Sequence, residues 1–250
     1  MNRLTFFISV FLVALAINAQ HEESVTPTRR LMLGVGSADV MDTYLSPYSY
    51  KGTRLSLSVE SHYPHTMHRL AVHGAAMENM AGNVNEYDAA ISYALAHHFD
   101  LSSIGRFNLK AGPMGQVYAG CIYNERNGNN PAQAKLSAMC CASAVASYAF
   151  DIKGRHIGVE YSISIPVLGL AYSPQFGQSY YEEFVLGQSD HNCVIAHTFN
   201  TPALRHRLLF DFPLKRTSVY VGYEGVADQS KYNNLRYHSY SHSFTFGFRL

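Results

Sequence analysis

The chain alternates. In HIGVEYSISIPVLGL, Ile157, Val159, Tyr161, Ile163, Ile165 and Val167 fall on one parity, and His156, Gly158, Glu160, Ser162 and Ser164 on the other. Successive side chains of a strand point to opposite faces, so this stretch predicts a strand with one apolar and one polar face. LRHRLLFDFPL repeats the pattern, with Leu204, His206, Leu208, Phe210, Phe212 and Leu214 opposite Arg205, Arg207, Leu209 and Asp211. EYDAAISYALAHHF sets Tyr87, Ala89, Ile91, Tyr93, Leu95 and Phe99 against Asp88, Ala90, Ser92, Ala94 and His98. The closing HSFTFGFRL places Phe244, Phe246, Phe248 and Leu250 opposite Ser243, Thr245, Gly247 and Arg249.

Weaker alternation predicts strands over residues 30–40, 52–62, 66–78, 106–119, 134–150 and 217–226. With a closing strand from about residue 236 to 250, the count is ten. Residues 191–199 also read as a strand. They are assigned to a loop, because a single-chain membrane barrel needs an even count if both ends are to lie on one side. Counting them with one further short strand gives twelve, the alternative.

The links sort by length. SHYPHT, FDLSSIG, FDIKGR and PLKRT are short; MDTYLSPYSYK, ENMAGNVNE, GCIYNERNGNNPAQ, the stretch 172–202 and ADQSKYNNL are longer, and the two sets interleave. Outer-membrane barrels alternate short periplasmic turns with long outer loops in this way. The polar parity carries Arg54, Glu60, Arg69, His73, Asp88, Lys110, Lys135, Glu160, Arg205, Arg207, Asp211, Glu224 and Arg249, among small residues such as Gly34, Gly36, Ala90, Ala94, Gly112, Gly158 and Gly222. Charges mixed with glycine and alanine suit a crowded lumen. The fold class expected is therefore all-β, a transmembrane antiparallel β-barrel with its apolar face outward.

The first twenty residues fix the route. MNRLTFFISVFLVALAINAQ has a basic start at Arg3, an apolar core over residues 4–17 and a small Ala19 before Gln20, the layout of a cleaved secretory signal. Residues 1–19 are read as that signal and 20–250 as one barrel domain. Beyond it no apolar run reaches the ~20 residues of a membrane-spanning helix, so a membrane protein must cross by strands. Lys and Arg total 19 against 18 for Asp and Glu, which leaves no basic footprint for nucleic acid. Cys121, Cys140, Cys141 and Cys193 show no zinc spacing, and Cys140 and Cys141 face opposite ways.

The stretches GVGSADVMDTYLSPYSYKG, RHRLLFDFPLKRTSVYVGYEG and SFTFGFRL resemble an uncharacterised outer-membrane β-barrel family of Bacteroidetes-type bacteria. That resemblance implies residence in the bacterial outer membrane and brings no activity or functional residue with it. The last strand looks like the carboxy-terminal signal read by the barrel insertion machinery, with Leu250 where phenylalanine is commoner. Outer-membrane lipid and that machinery are the expected partners. Tyr237, Tyr240, Phe244 and Phe248 are expected as anchors at the membrane interface.

Catalytic patterns fail on parity or on missing companions. In HSYSHS, His238 and His242 fall on the lipid side while Ser239, Ser241 and Ser243 fall inside, so no serine–histidine couple forms there. Asp190 and His191 are adjacent but lack the second pair of aspartates that an omptin-type protease uses. His97 and His98 point to opposite faces and make no metal site. The chain is expected to be no enzyme and to hold no cofactor.

Three functional classes follow: a barrel closed by a lumen charge network and acting in surface binding or as a structural component; a narrow pore for small solutes; and, least favoured, a lipid-modifying enzyme or protease. The lumen network is expected from Arg54, Glu60, Arg69, Asp88, Glu160, Arg205, Arg207, Asp211, Glu224 and Arg249. Recognition of an unidentified ligand is expected from Tyr44, Tyr48, Tyr50, Tyr180, Tyr181 and Phe184 in the long loops, because tyrosine offers a flat apolar face with a polar tip.

Overall fold

The computed structural model describes residues 26–250, apart from the side chain of Phe184. The signal assigned to residues 1–19 lies outside the described residues. Twelve strands run β1 (Thr28–Asp42), β2 (Tyr50–His62), β3 (Thr66–Asn79), β4 (Asn85–His97), β5 (Phe99–Ile104), β6 (Phe107–Asn124), β7 (Ala132–Ile152), β8 (Arg155–Tyr172), β9 (Cys193–His197), β10 (Ala203–Pro213), β11 (Ser218–Tyr232) and β12 (Leu235–Arg249). Ten of them close an antiparallel ring in the order β1-β2-β3-β4-β6-β7-β8-β10-β11-β12, with β12 paired back to β1 from Asp42↔Tyr237 to Arg30↔Arg249. Closure leaves no unpaired edge, the condition for crossing a bilayer with strands.

The remaining two strands are outgrowths of the ring. β5 continues β4 past His98 and pairs only with the start of β6, so FDLSSIG forms a projecting hairpin that turns at Gly105 (φ +60). β9 pairs with Leu168–Tyr172 at the upper end of β8, a stretch that β10 does not reach. The handover follows a register shift at Pro166, which has no N–H for the ladder. The segment 191–199 thus contains a real strand, Cys193–His197, and its place outside the ring preserves the ten-strand barrel.

Parity assigns the faces as expected. Leu33, Val35, Leu55, Leu70, Val72, Ile91, Leu136, Ile165, Phe244 and Phe246 stand exposed on the outside. The opposite parity buries Glu60, Asp88, Arg207, Ser239, Ser241, Ser243 and Thr245 inside. An apolar exterior around a polar interior inverts a water-soluble barrel and is the arrangement a bilayer demands. Among the described residues no helix is long and apolar enough to cross a membrane. Small inward residues make room for the charges: a Cβ at Gly36 would collide with the carbonyl oxygen of His242 on β12.

Two expectations need correction. ADQSKYNNL is not a long loop, because β11 and β12 climb through it to Tyr232 and Leu235 and turn on Asn233 and Asn234 alone, at φ 46 and 64. Two consecutive left-handed residues form the tight hairpin turn whose twist matches the strands, and asparagine tolerates that conformation. Tyr237 is not an interface anchor. It shares the parity of Ser239 and Ser241, so its ring enters the lumen, where the Lys135 Nζ lies 3.9 Å from its centroid. The four cysteines are free, with Cys141 buried and the others exposed.

Candidate functional site in the lumen

The half of the lumen nearer the short turns holds an ionic cluster. Glu60 on β2, fully buried, accepts from both terminal nitrogens of Arg207 on β10, lies 3.4 Å from Arg69 Nε and 2.9 Å from His62 Nε2. Arg69 on β3 donates to Glu224 on β11 at 2.6 Å. Arg30 on β1 grips Glu160 on β8 with two bonds of 3.1 and 3.0 Å and stacks 4.6 Å over the Tyr220 ring. Each of these pairs spans four steps of the ten-strand ring, which means it crosses the lumen. Within the wall, Glu60 also neighbours Arg69, and Arg207 neighbours Glu224, by register. Buried ions are tolerable only when paired and hydrogen-bonded, and three arginines against three glutamates meet that condition.

Above the cluster lies a partition. Arg205 donates to Gln116 and, at 2.8 Å, to Asp228. The Tyr118 ring covers Gly120, where a Cβ would come within 3.2 Å of the ring. Together with Tyr237, these residues line both a cavity of about 310 Å³ below and one of about 110 Å³ above. The lower cavity runs beside the ionic cluster down to Tyr63, Pro64 and His65 in the β2–β3 turn. His73 meets Asp88 at 3.2 Å, and His98 meets the Ser143 hydroxyl at 3.0 Å, both in this cavity's wall.

The end nearer the long loops is built differently. Asp42, Glu86 and Asp88 are all buried; Lys135 contacts Asp42, and Asp88 holds the His73 already described. Asn124 donates to Glu86 at 2.8 Å. The stretch 173–202 folds over this mouth. The Tyr44 hydroxyl donates to the Gln178 carbonyl at 2.7 Å, the Ala134 N–H donates to the Tyr180 hydroxyl at 2.9 Å, and Asn233 Nδ2 donates to the Ser173 and His191 carbonyls. Burial and the neighbouring Tyr180 and Glu183 push the Tyr44 hydroxyl up to about 12, so it stays a neutral donor. A single turn of π-helix, Tyr181–Val185, tops the cap. Ser179 and Glu182 exchange hydrogen bonds there as a capping box, which holds the Glu182 carboxyl below its ordinary range.

The structure gathers most of the expected lumen residues. Glu60, Arg69, Glu160, Arg207 and Glu224 form the cluster, Arg205 the partition, and Asp88 pairs with His73. Asp211 lines a separate side cavity with Arg30 and Tyr220. Arg54 lines the lower cavity. Arg249 is excluded: it sits at the last rung opposite Arg30, whose guanidinium already holds Glu160, and its side chain extends into solvent. Arg30 and Asp228 belong to the network although the sequence reading left them out; Arg30's inward parity was the available signal.

The loop tyrosines divide. Tyr50 is 1% exposed, since it opens β2 on the inward parity, and Tyr44 and Tyr180 stitch loops together. Only Tyr48 and Tyr181 of that set stand well exposed, at 61% and 62%. The side chain of Phe184 lies outside the described residues. His238 contacts Ser49 on the outer face and His242 contacts the Tyr223 hydroxyl, away from the buried serines between them. Asp190 and His191 are exposed in the cap. Among the described residues no group of His, Cys, Asp and Glu is arranged to hold a metal ion.

A family model described as "Protein of unknown function (DUF3316)" matches residues 4–249. No curated protein matches the chain. Similar solved structures include the transport unit of the autotransporter AIDA-I from Escherichia coli, at 8% identity and a TM-score of 0.43 over 92% of this chain and 91% of that one. The outer membrane protease OmpT from Escherichia coli is similar at 8% identity and a TM-score of 0.42, over 91% of this chain and 98% of that one. Neisserial surface protein A is similar at 9% identity and a TM-score of 0.35, over 89% and 96%.

Proposed function

The chain belongs to the DUF3316 family, and since that family has no assigned activity, we propose from the geometry alone that it is a non-conducting, non-catalytic barrel of the bacterial outer membrane. Its short turns face the periplasm, and its folded loop cap is the surface offered to the outside. The observation that carries this reading is the set of ion pairs that cross the lumen, Arg30 with Glu160, Arg69 with Glu224 and Arg207 with Glu60. Opening a water path would require separating these charges inside the lumen, at a cost of several kcal/mol for each buried pair broken. Above them, the Arg205 partition and the loop cap add two further barriers. Recognition is assigned to the long loops, where Tyr48 between β1 and β2 and Phe176 and Tyr181 in the cap are exposed.

The mature protein refolded in detergent tests the closure. A folded barrel shifts its gel mobility on boiling, and that same preparation is expected to stay electrically silent in a planar lipid bilayer. Discrete conductance steps from the wild-type protein would establish the narrow-pore reading instead.

A further inference from the structure

Nearly every cation inside the barrel has a counter-ion. Arg30, Arg69, Arg205 and Arg207 pair with carboxylates as described, Lys110 with Asp100 at 3.2 Å, and Lys135 with Asp42. Arg54 breaks the rule. It is half-buried in the wall of the lower cavity, and among the described residues it makes neither an ion pair nor a hydrogen bond. Around it on the same wall, β2 contributes Ser56, β3 His73, β4 Ser92 and β6 Tyr118, joined through the registers Ser56↔His73 and Ser92↔Tyr118. The hydroxyls of Ser56 and Ser92 are likewise without a protein partner among the described residues.

An arginine and free hydroxyl donors around a confined space have the chemistry of an oxyanion site. A guanidinium presents paired N–H groups that match the two oxygens of a carboxylate or phosphate, and a half-desolvated one gains most from a mobile anion when no fixed carboxylate reaches it. The volume of about 310 Å³ admits an ion the size of phosphate or a short dicarboxylate. Entry lies at the short-turn end, where Tyr63, Pro64 and His65 line the cavity, while the partition closes the other side.

We propose that the lower cavity is a blind binding site for a small oxyanion, phosphate or short carboxylate, with Arg54 as its anchor. The site goes beyond the closed-barrel reading and stands or falls separately, because a conducting wild-type barrel would sink that reading and leave an Arg54-dependent binding signal intact.

The test is a thermal melt of the refolded full-length barrel in detergent, titrated with inorganic phosphate, succinate or, as a control of equal ionic strength, chloride. The wild-type protein is expected to show a saturable rise in melting temperature with at least one of the two oxyanions and none with chloride; which of them binds more tightly separates the tetrahedral from the planar ligand. Arg54→Gln is expected to abolish the rise while its ligand-free melt and gel mobility shift stay those of the wild type. Arg54→Lys keeps the charge and loses the fork, so the affinity is expected to fall at least fivefold; this variant carries the test if Arg54→Gln does not fold. No saturable rise over chloride in the wild type, or an equal rise in the folded Arg54 variants, would overturn the proposal.

Discussion

The two ends of the lumen solve the same problem in opposite ways. Near the short turns, arginines and glutamates alternate around the ring and bond across it, so the charges cancel in pairs that tie distant strands together. Near the long loops, Lys135 meets Asp42 while buried Glu86 rests on Asn124 and Asp88 on His73, so the carboxylates outnumber the lysine, and a cap of folded loop lies over them. The first arrangement fastens the barrel; the second sits beneath a cover that ring closure does not need. The difference teaches that strand side chains alone tie the turn end together across the lumen, whereas the loop end is covered by chain that lies outside the ring.

The largest effect is expected at Glu60, the hub of the first arrangement. Glu60→Ala leaves buried Arg207 without its bidentate partner, removes the contact with half-buried Arg69 and frees half-buried His62. Breaking a buried ionic network by removing one partner costs about 3–5 kcal/mol. Urea unfolding of the refolded barrel measures it; a loss below about 1 kcal/mol, the level of an exposed ion pair, would show that the turn-end cluster does not fasten the ring.

That hub was legible from sequence only as a face. Clean alternation along β8 and β10 and weaker alternation along β2 placed Glu160, Arg207 and Glu60 inside, because a period of two leaves no other choice once the apolar parity is outward. Their pairings were not legible. Arg207 meets Glu60 across 147 positions and Arg30 meets Glu160 across 130, and such partners are fixed by ring closure and by how the strands are staggered. Turn chemistry misled in the other direction: SKYNN reads as a polar loop, yet two asparagines suffice to turn the chain and Asp228 becomes a lumen residue. The tyrosines of the first loop show a similar limit, since the polar tip of Tyr50 is satisfied by Ser46 within the fold.

A middle effect is expected at Lys135, and it carries a signature of its own. Lys135→Met leaves buried Asp42 without its cation, close to buried Glu86, and removes the contact over the Tyr237 ring. Leaving buried polar groups unsatisfied costs about 1–3 kcal/mol, and proximity to the loop mouth keeps the loss below that at Glu60. The comparison sharpens in the double variant Lys135→Met with Asp42→Asn. Because the loop end suffers from excess negative charge, the second change is expected to restore at least half of the stability lost in the first, a coupling read from a double-mutant cycle in urea. Additive losses would mean that the loop end, too, is held by specific pairing.

The smallest effect sets the boundary of the turn-end cluster. Arg249 continues the inward parity of β12 by one rung, faces Arg30 across the ladder and finds that partner already engaged by Glu160. Its side chain lies in solvent, and what anchors this corner is backbone, with the Leu250 N–H donating to the Arg29 carbonyl at 3.0 Å and Thr217 donating to the Arg249 carbonyl at 2.6 Å. Neither bond needs the guanidinium. Arg249→Ala is therefore expected to shift unfolding in urea by no more than about 0.5 kcal/mol, the range of surface substitutions that touch no special feature. A loss near that of Glu60→Ala would instead extend the cluster to the rim and make the last strand's parity, rather than its pairing with β1, the element that closes the barrel.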